Sequence, residues 1–321
     1  KKEQKKKIVF SMGGGSLMTI DANLTKEGEV EGIQYEASFS HLETNGISAA
    51  KSGTENDGYE NNTLALSLGA NLLPSLSLSA KLRKTKAESE YDGYNVDDLD
   101  NIETVRSTIL SGEAIFSPFT WWKGNLKASS CKTEKENDEG VNQLNTYLGT
   151  TEKIESCHNL MIRKIDELVV GIESEKEACK IEENSVKNMD NEARNNALYL
   201  QNNIKVGKVS LRAGVRFDDH STFGSYQTHH LSSLITLLTG VRMRAGWSEG
   251  FKSPSLYQLY APANLPWGFL GGNKNLKPEE CENLELGIGI EKTHFGLEVS
   301  HFKNEFKNLI TYYTDPVTRQ S

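Results

Sequence analysis

Two short polar stretches hold the residues best suited to chemistry. TENDGY (54–59) carries Glu55 and Asp57 around Asn56, and EYDGYNVDDLDN (90–101) carries Asp92, Asp97, Asp98 and Asp100. Calcium takes its six to eight oxygen ligands from clustered carboxylates and carbonyls, and these two stretches would supply such a cluster if they met. Acidic loops are also commonly just solvated, and composition alone leaves both readings open. Tyr59, Tyr91 and Tyr94 flank the acids. Their rings could stack on a flat ligand or simply pin the loops.

Other reactive residue types are less promising. RFDDHSTFG (216–224) sets Asp218, Asp219, His220 and Ser221 in a row. Neighbours on an extended chain point to opposite faces, and a catalytic triad is assembled from residues distant in sequence. Turn chemistry accounts for the row better. His229 and His230 diverge for the same reason, and Gly13–Gly15 opens no strand-to-helix phosphate loop. Cys131, Cys157, Cys179 and Cys281 fit no zinc spacing. They are read as free thiols, although a pair bridging adjacent strands is also compatible. No enzymatic activity is expected.

The elements that must position the acids show in the hydropathy pattern. In VRMRAGWS (241–248), Val241, Met243, Ala245 and Trp247 alternate with Arg242, Arg244, Gly246 and Ser248. A strand therefore has one apolar face and one charged face. The same period recurs at Leu76–Leu82, Val209–Phe217, Leu284–Ile290 and Ile33–Phe39. Helical periodicity is poor throughout, and the pattern predicts about 15 strands. Short turns are expected at 71–75, 116–119, 205–208 and 291–294, and long polar connections at 44–62, 88–104, 132–146, 178–196 and 253–283. The tops of neighbouring hairpins approach each other, which allows the two acidic stretches to meet.

Short turns on one side and long loops on the other are the pattern of an outer-membrane β-barrel, apolar face to lipid and polar face to a watery lumen. A soluble sandwich or propeller with one wetted face is the competing fold. Full charges in mid-strand, and strands of nine or more residues, favour the barrel. Val241, Met243, Ala245 and Trp247 would then face lipid and Arg242 and Arg244 the lumen. Trp121, Trp122, Tyr199 and Phe217 would suit interfacial girdles.

Composition agrees. The 321 residues carry 36 Lys and Arg against 44 Asp and Glu, a net charge of −8, without the basic footprint of general nucleic-acid binding. Only 36% are hydrophobic, which a wide barrel with no packed interior tolerates. No apolar run is long enough for a transmembrane helix. KKEQKKKIVFSMGGG at the start has the charge of a signal peptide but neither its apolar segment nor its cleavage site.

One segment is more specific. GWSEGFKSPSLYQLYAPANLPWGFLGGNKNLKPEECENLELGIGIE (246–291) resembles the TonB-dependent outer-membrane receptors through Gly250, Phe251, Lys252, Pro254, Leu259, Tyr260, Gly272, Asn273, Leu276, Lys277, Pro278, Glu279, Glu285 and Gly287. Ser253 replaces the usual alanine and Lys274 the usual proline. Residues 195–225 look like the family's tyrosine strand followed by its Gly-x-Arg-x-Asp strand. Residues 41–69 resemble the second extracellular loop of the family's cobalamin transporters. The likeness runs from about residue 8 to the end and is weakest across 131–190.

The resemblance implies an all-β, antiparallel transmembrane barrel of the type with about 22 strands. Residues 1–321 would be a partial barrel domain, with the N-terminal plug and the C-terminal strands absent, and this piece alone would transport nothing. It further implies the bacterial outer membrane and its lipid, energy coupling through TonB and its inner-membrane complex, and import of cobalamin or a related corrinoid. In that branch the two acidic loops bind calcium. Asp57 and Asp92 match its aspartates, Glu55 stands where aspartate is frequent, and Asp98 or Asp100 (or Asp97) would complete the site. Ser48 stands where a further aspartate can occur, one carboxylate fewer. Tyr59, Tyr91 and Tyr94 would contact the ligand. Ferric-siderophore or haem import is the alternative within transport, and a non-transporting surface binding barrel the alternative outside it. A hydrolase would need a Ser/His/acid set on one face.

Overall fold

The computed structural model describes residues 6–48, 50, 53, 55–93, 100–140, 144–184, 186–263 and 271–311. Fifteen strands, each hydrogen-bonded to the next in chain order, form one sheet. They are β1 (Lys7–Gly14), β2 (Ile20–Val30), β3 (Ile33–Thr44), β4 (Tyr59–Leu73), β5 (Leu76–Glu90), β6 (Asn101–Phe119), β7 (Trp122–Glu139), β8 (Leu144–Arg163), β9 (Asp166–Glu183) and β10 (Val186–Val206). Then come β11 (Val209–His220), β12 (Gly224–Leu238), β13 (Val241–Lys252), a short helix α1 (Leu256–Tyr260), β14 (Glu279–Lys292) and β15 (Phe295–Lys307). The chain packs as two compact units, one of 1–116, 127–154 and 176–192, the other of 117–126, 155–175 and 193–321.

In the first unit the registers stack the leucines. Leu66 pairs with Leu82 and Leu82 with Leu110, while on the other face Thr63 pairs with Thr85 and Thr85 with Ser107. Thr63 and Thr85 hydroxyls lie 3.1 Å apart. The leucines are the exposed set: Leu68 is 52% and Leu110 54% accessible. In water such a stripe invites association; against acyl chains it is what a spanning strand requires.

The second unit repeats the plan. Met243 pairs with Ile288 and Ile288 with Val299, so the apolar row expected from the alternation runs across β13, β14 and β15. On the opposite face Arg242 reaches Glu291 at 2.7 Å. Arg244 reaches Glu285 at 2.8 Å and also pairs with Glu298. Buried apolar side chains among the described residues are few, Ile181, Met189, Leu256 and Leu259 with three alanines.

Eight of the connections are two residues long: 31–32, 74–75, 120–121, 164–165, 184–185, 207–208, 239–240 and 293–294. Three expectations need correcting. Residues 116–119 belong to β6, and the turn is Thr120–Trp121. Most of the polar stretches 132–146 and 178–196 are strand, the connections shrinking to 140–143 and 184–185. β10 has 21 residues, whereas about 10 suffice to cross a bilayer. Beyond the lipid both faces are wet, so the alternation fades while the backbone ladder continues. Cross-strand ion pairs stand in for it there, as between Lys176 and Glu192 at 2.6 Å and Arg106 and Glu136 at 2.6 Å.

The third correction concerns Tyr199. Its register partner is Arg216, on the charged face, and its hydroxyl donates to Glu155 at 2.9 Å. It is therefore no girdle residue. A Cβ on Gly171 would collide with its ring, so glycine there makes room for it. Phe217 does lie on the opposite face and is 42% accessible, and Trp121 and Trp122 stack with Phe119 beside a short turn.

Candidate functional site

The acidic stretches lie in the first unit, where β3 and β4 part after the Thr44–Tyr59 pair and β5 and β6 after Glu90–Ile102. Gly46 turns the first loop back at φ +64°, and a Cβ there would run into the Asp57 carbonyl oxygen. Both the positive φ and the close approach require glycine. The Asp57 amide faces the Ile47 carbonyl at 3.4 Å. The Gly58 amide donates to Glu90 Oε2 at 2.8 Å, and the Glu90 amide returns a bond to the Gly58 carbonyl at 3.0 Å. The two loops are thus tied together at their roots.

They also meet further out. Asp92 Oδ2 accepts from the Ala50 amide at 2.5 Å, with Ser48 Oγ 3.3 Å away. The result is a trio: Glu55, Asp57 and Asp92, all half-buried, each offer a carboxylate oxygen within 4.8 Å of the others. Three negative groups so close repel one another unless a cation lies among them. The donors are all hard oxygens, without imidazole or thiolate, which suits calcium and not zinc. The residues present therefore fit the expected ion, and Glu55, Asp57 and Asp92 are those that would hold it.

The other expected members fare differently. Asp100 is not in the trio; its Cβ lies 3.7 Å from where a Cβ on Gly140 would be. Tyr94, Asp97 and Asp98 lie outside the described residues. Tyr59 opens β4, half-buried, its hydroxyl accepting from Asn61 Nδ2 at 3.0 Å. It lines a groove of about 460 Å³ with Glu43, Asn56, Glu88 and Glu90. Tyr91 is half-buried and precedes Asp92. Sequence reasoning missed Glu90 as the brace between the loops, and it treated Ser48 only as a lost ligand. The bond from Gly58 to Glu90 depends on strand register, which no local motif encodes.

The Asp-Asp-His-Ser row has its side chains engaged locally. Arg216 grips Asp218 at 2.9–3.1 Å and Glu173 at 3.0 Å, and Asn195 donates to Asp218 at 2.8 Å. Asp218 is only 3% accessible. His220 Nδ1 accepts from the Thr222 amide at 3.1 Å, and Ser221 Oγ from the Arg194 amide at 2.9 Å. His229 pairs with Glu249 at 2.6 Å, whereas His230 lies over Gly214.

Residues 27–321 match the family described as TonB dependent receptor-like, beta-barrel. The vitamin B12 transporter BtuB of Vibrio vulnificus is 24% identical over 319 residues, covering 95% of this chain and 49% of that protein. The ferric enterobactin receptor PirA of Pseudomonas aeruginosa is 35% identical over 128 residues, 36% of this chain and 17% of that protein. The crystal structure of the siderophore receptor PirA from Acinetobacter baumannii superimposes with a TM-score of 0.75 at 19% identity, covering 93% of this chain and 52% of that one. The chain spans about half the length of the vitamin B12 transporters of Vibrio vulnificus and Photobacterium profundum that it matches.

Proposed function

This chain belongs to the TonB-dependent receptor β-barrel family, whose members are outer-membrane proteins, and we propose that it serves the import of cobalamin or a related corrinoid. Calcium held by Glu55, Asp57 and Asp92 orders the two loops, which then grip the ligand beside Tyr59 and Tyr91. Energy comes from the inner-membrane proton gradient through TonB. The observation that carries this reading is the convergence of three carboxylates from two separate loops within 4.8 Å. Likeness to a vitamin B12 transporter over 95% of the chain supports it.

Ferric-siderophore import is the second reading, favoured by the 35% identity to a ferric enterobactin receptor across 128 residues. A cluster of carboxylates weighs against it, because an anionic chelate approaching like charges is repelled. Calorimetry of the complete gene product in detergent, titrated with cyanocobalamin in calcium and then in chelator, separates the two. Tight binding that collapses in chelator is expected. Absence of binding in both conditions would overturn the corrinoid reading in favour of iron chelates or a non-transporting binding barrel.

A further inference from the structure

The leucine face of the first unit changes chemistry in a fixed order along its strands. Leu66, Leu82 and Leu110 form one row across β4, β5 and β6. Two residues nearer the acidic loops, about 7 Å along the strand, Leu64 pairs with Lys84 and Lys84 with Thr108. Two residues further, Asn62 pairs with Lys86 and Lys86 with Arg106. The next step pairs Glu60 with Glu88. On β7 the Thr133 hydroxyl meets Ser107 at 3.2 Å on the opposite face. Lys132 and Glu134 flank Thr133 and so lie on the leucine face, where Arg106 reaches Glu134 at 3.7 Å. From the acyl level outward the order is leucines, then Lys84, Lys132, Lys86 and Arg106, with Glu60, Glu88 and Glu136 outermost.

All four cations are exposed. Lys86 leans outward to Glu88 at 2.8 Å and Arg106 to Glu136 at 2.6 Å, and Lys132 reaches Glu134 at 3.4 Å. Lys84, nearest the leucines with Lys132, forms no ion pair with any described residue. Surface pairs of this kind contribute little to stability, so the cations are readily turned to a stronger acceptor. The belt is a local feature of β5–β7. In the second unit, the apolar row of β13–β15 gives way to Glu249 opposite Glu282 and Glu282 opposite Glu305.

We propose that Lys84, Lys86, Arg106 and Lys132 form a binding site on the lipid-facing side of the sheet for a lipid whose head group exposes phosphate. The leucine rows take its acyl chains, and the cations, one and two steps above them, meet the head group at the edge of the hydrocarbon. The Arg106 guanidinium matches two phosphate oxygens in a fork, while the lysines act as point charges on flexible stems. Apolar surface directly beneath the charges selects an amphiphile over a soluble phosphate. This inference rests on the barrel and its lipid face and is independent of what the receptor imports.

The test is native mass spectrometry of the complete gene product in detergent micelles doped with dioleoyl phosphatidic acid or with dioleoyl phosphatidylcholine, whose phosphate is masked by choline. Wild type is expected to retain phosphatidic acid in preference. Each cation near an anionic lipid surface contributes about fivefold, so Lys84→Gln with Arg106→Gln should weaken phosphatidic acid binding about thirtyfold. Lys84→Gln alone, which breaks no ion pair, should weaken it about fivefold at an unchanged unfolding temperature, and Lys84→Arg should retain it. Lys303→Gln, the same change of charge on β15, should leave it unaltered. Equal retention of the two lipids, or unchanged affinity in the glutamine variants, would overturn the site. Equal weakening by Lys303→Gln would overturn it as well, because net charge alone would then explain the binding. Competition by inorganic phosphate at the concentration of the lipid would overturn the assignment to a lipid.

Discussion

Asp57→Asn changes one charge in the trio and almost nothing in shape, and its effect should reverse sign with calcium. At a separation of 4.8 Å, two carboxylates repel by roughly 0.9 kcal/mol at the dielectric of water and roughly 3.5 kcal/mol at an effective dielectric of about 20. Asp57 takes part in two of the three pairs. The residues are half-buried, so the lower end applies, and relief of roughly 2 kcal/mol is expected in chelator. That corresponds to about thirtyfold slower opening of the loops. Hydrogen exchange at the Ala50 amide reports this directly, because that amide is bonded to Asp92. In chelator, Ala50 should exchange more slowly in Asp57→Asn than in wild type. In calcium the order should invert, because the wild type gains the ion's attraction and the variant has one charge fewer to hold it. Faster exchange of the variant in chelator, or a wild type indifferent to calcium, would refute the reasoning.

Gly46→Ala forces a side chain into a left-handed backbone position, at about 1–2 kcal/mol, and drives its Cβ into the Asp57 carbonyl. Calcium-dependent protection at Ala50 should be lost while the strands stay intact by circular dichroism. Leu66→Lys, on the lipid-facing row, should destabilise the folded protein in bilayers by about 2–4 kcal/mol if near the midplane. Ser67→Lys, on the opposite face, should be close to neutral in the same urea titration. Arg216→Met leaves Asp218 and Glu173 buried beside each other, and a loss of about 3–5 kcal/mol is expected from the same measurement. Pairing it with Asp218→Asn should restore part of that loss.

Much of the wall was legible because a strand with lipid on one side and water on the other must alternate. Met243 and Arg244 announce their faces, and the registers place them so. The ends of β7 and β9 and the start of β10 were not legible, since where both faces are wet the pattern carries no face information. Tyr199 was misread for a related reason. An aromatic in a strand suits a girdle or a charged wall equally until its partner, Arg216, is known. The 246–291 motif was the clearest signal, and in the structure several of its described residues make local folding contacts. Ser255 and Gln258 form a reciprocal cap on α1. Gly272 packs against the backbone of Leu259 and Tyr260, and the Pro278 carbonyl receives Asn308 at 3.2 Å. These are folding devices, informative about family and silent about ligand. Of the candidate site, Glu55, Asp57 and Asp92 were each named from sequence; that these three meet, with Asp100 left aside, depends on where two loops cross.

The most direct test of the account is a crystal structure of the complete gene product grown with calcium and cyanocobalamin, with calcium located by its anomalous scattering. The expected result is an ion ligated by Glu55, Asp57 and Asp92, with the corrinoid held by the loops that carry them. An ion-free trio beneath a bound corrinoid would contradict the role given to calcium. A site that excludes cyanocobalamin and instead holds a ferric chelate would contradict the account as a whole.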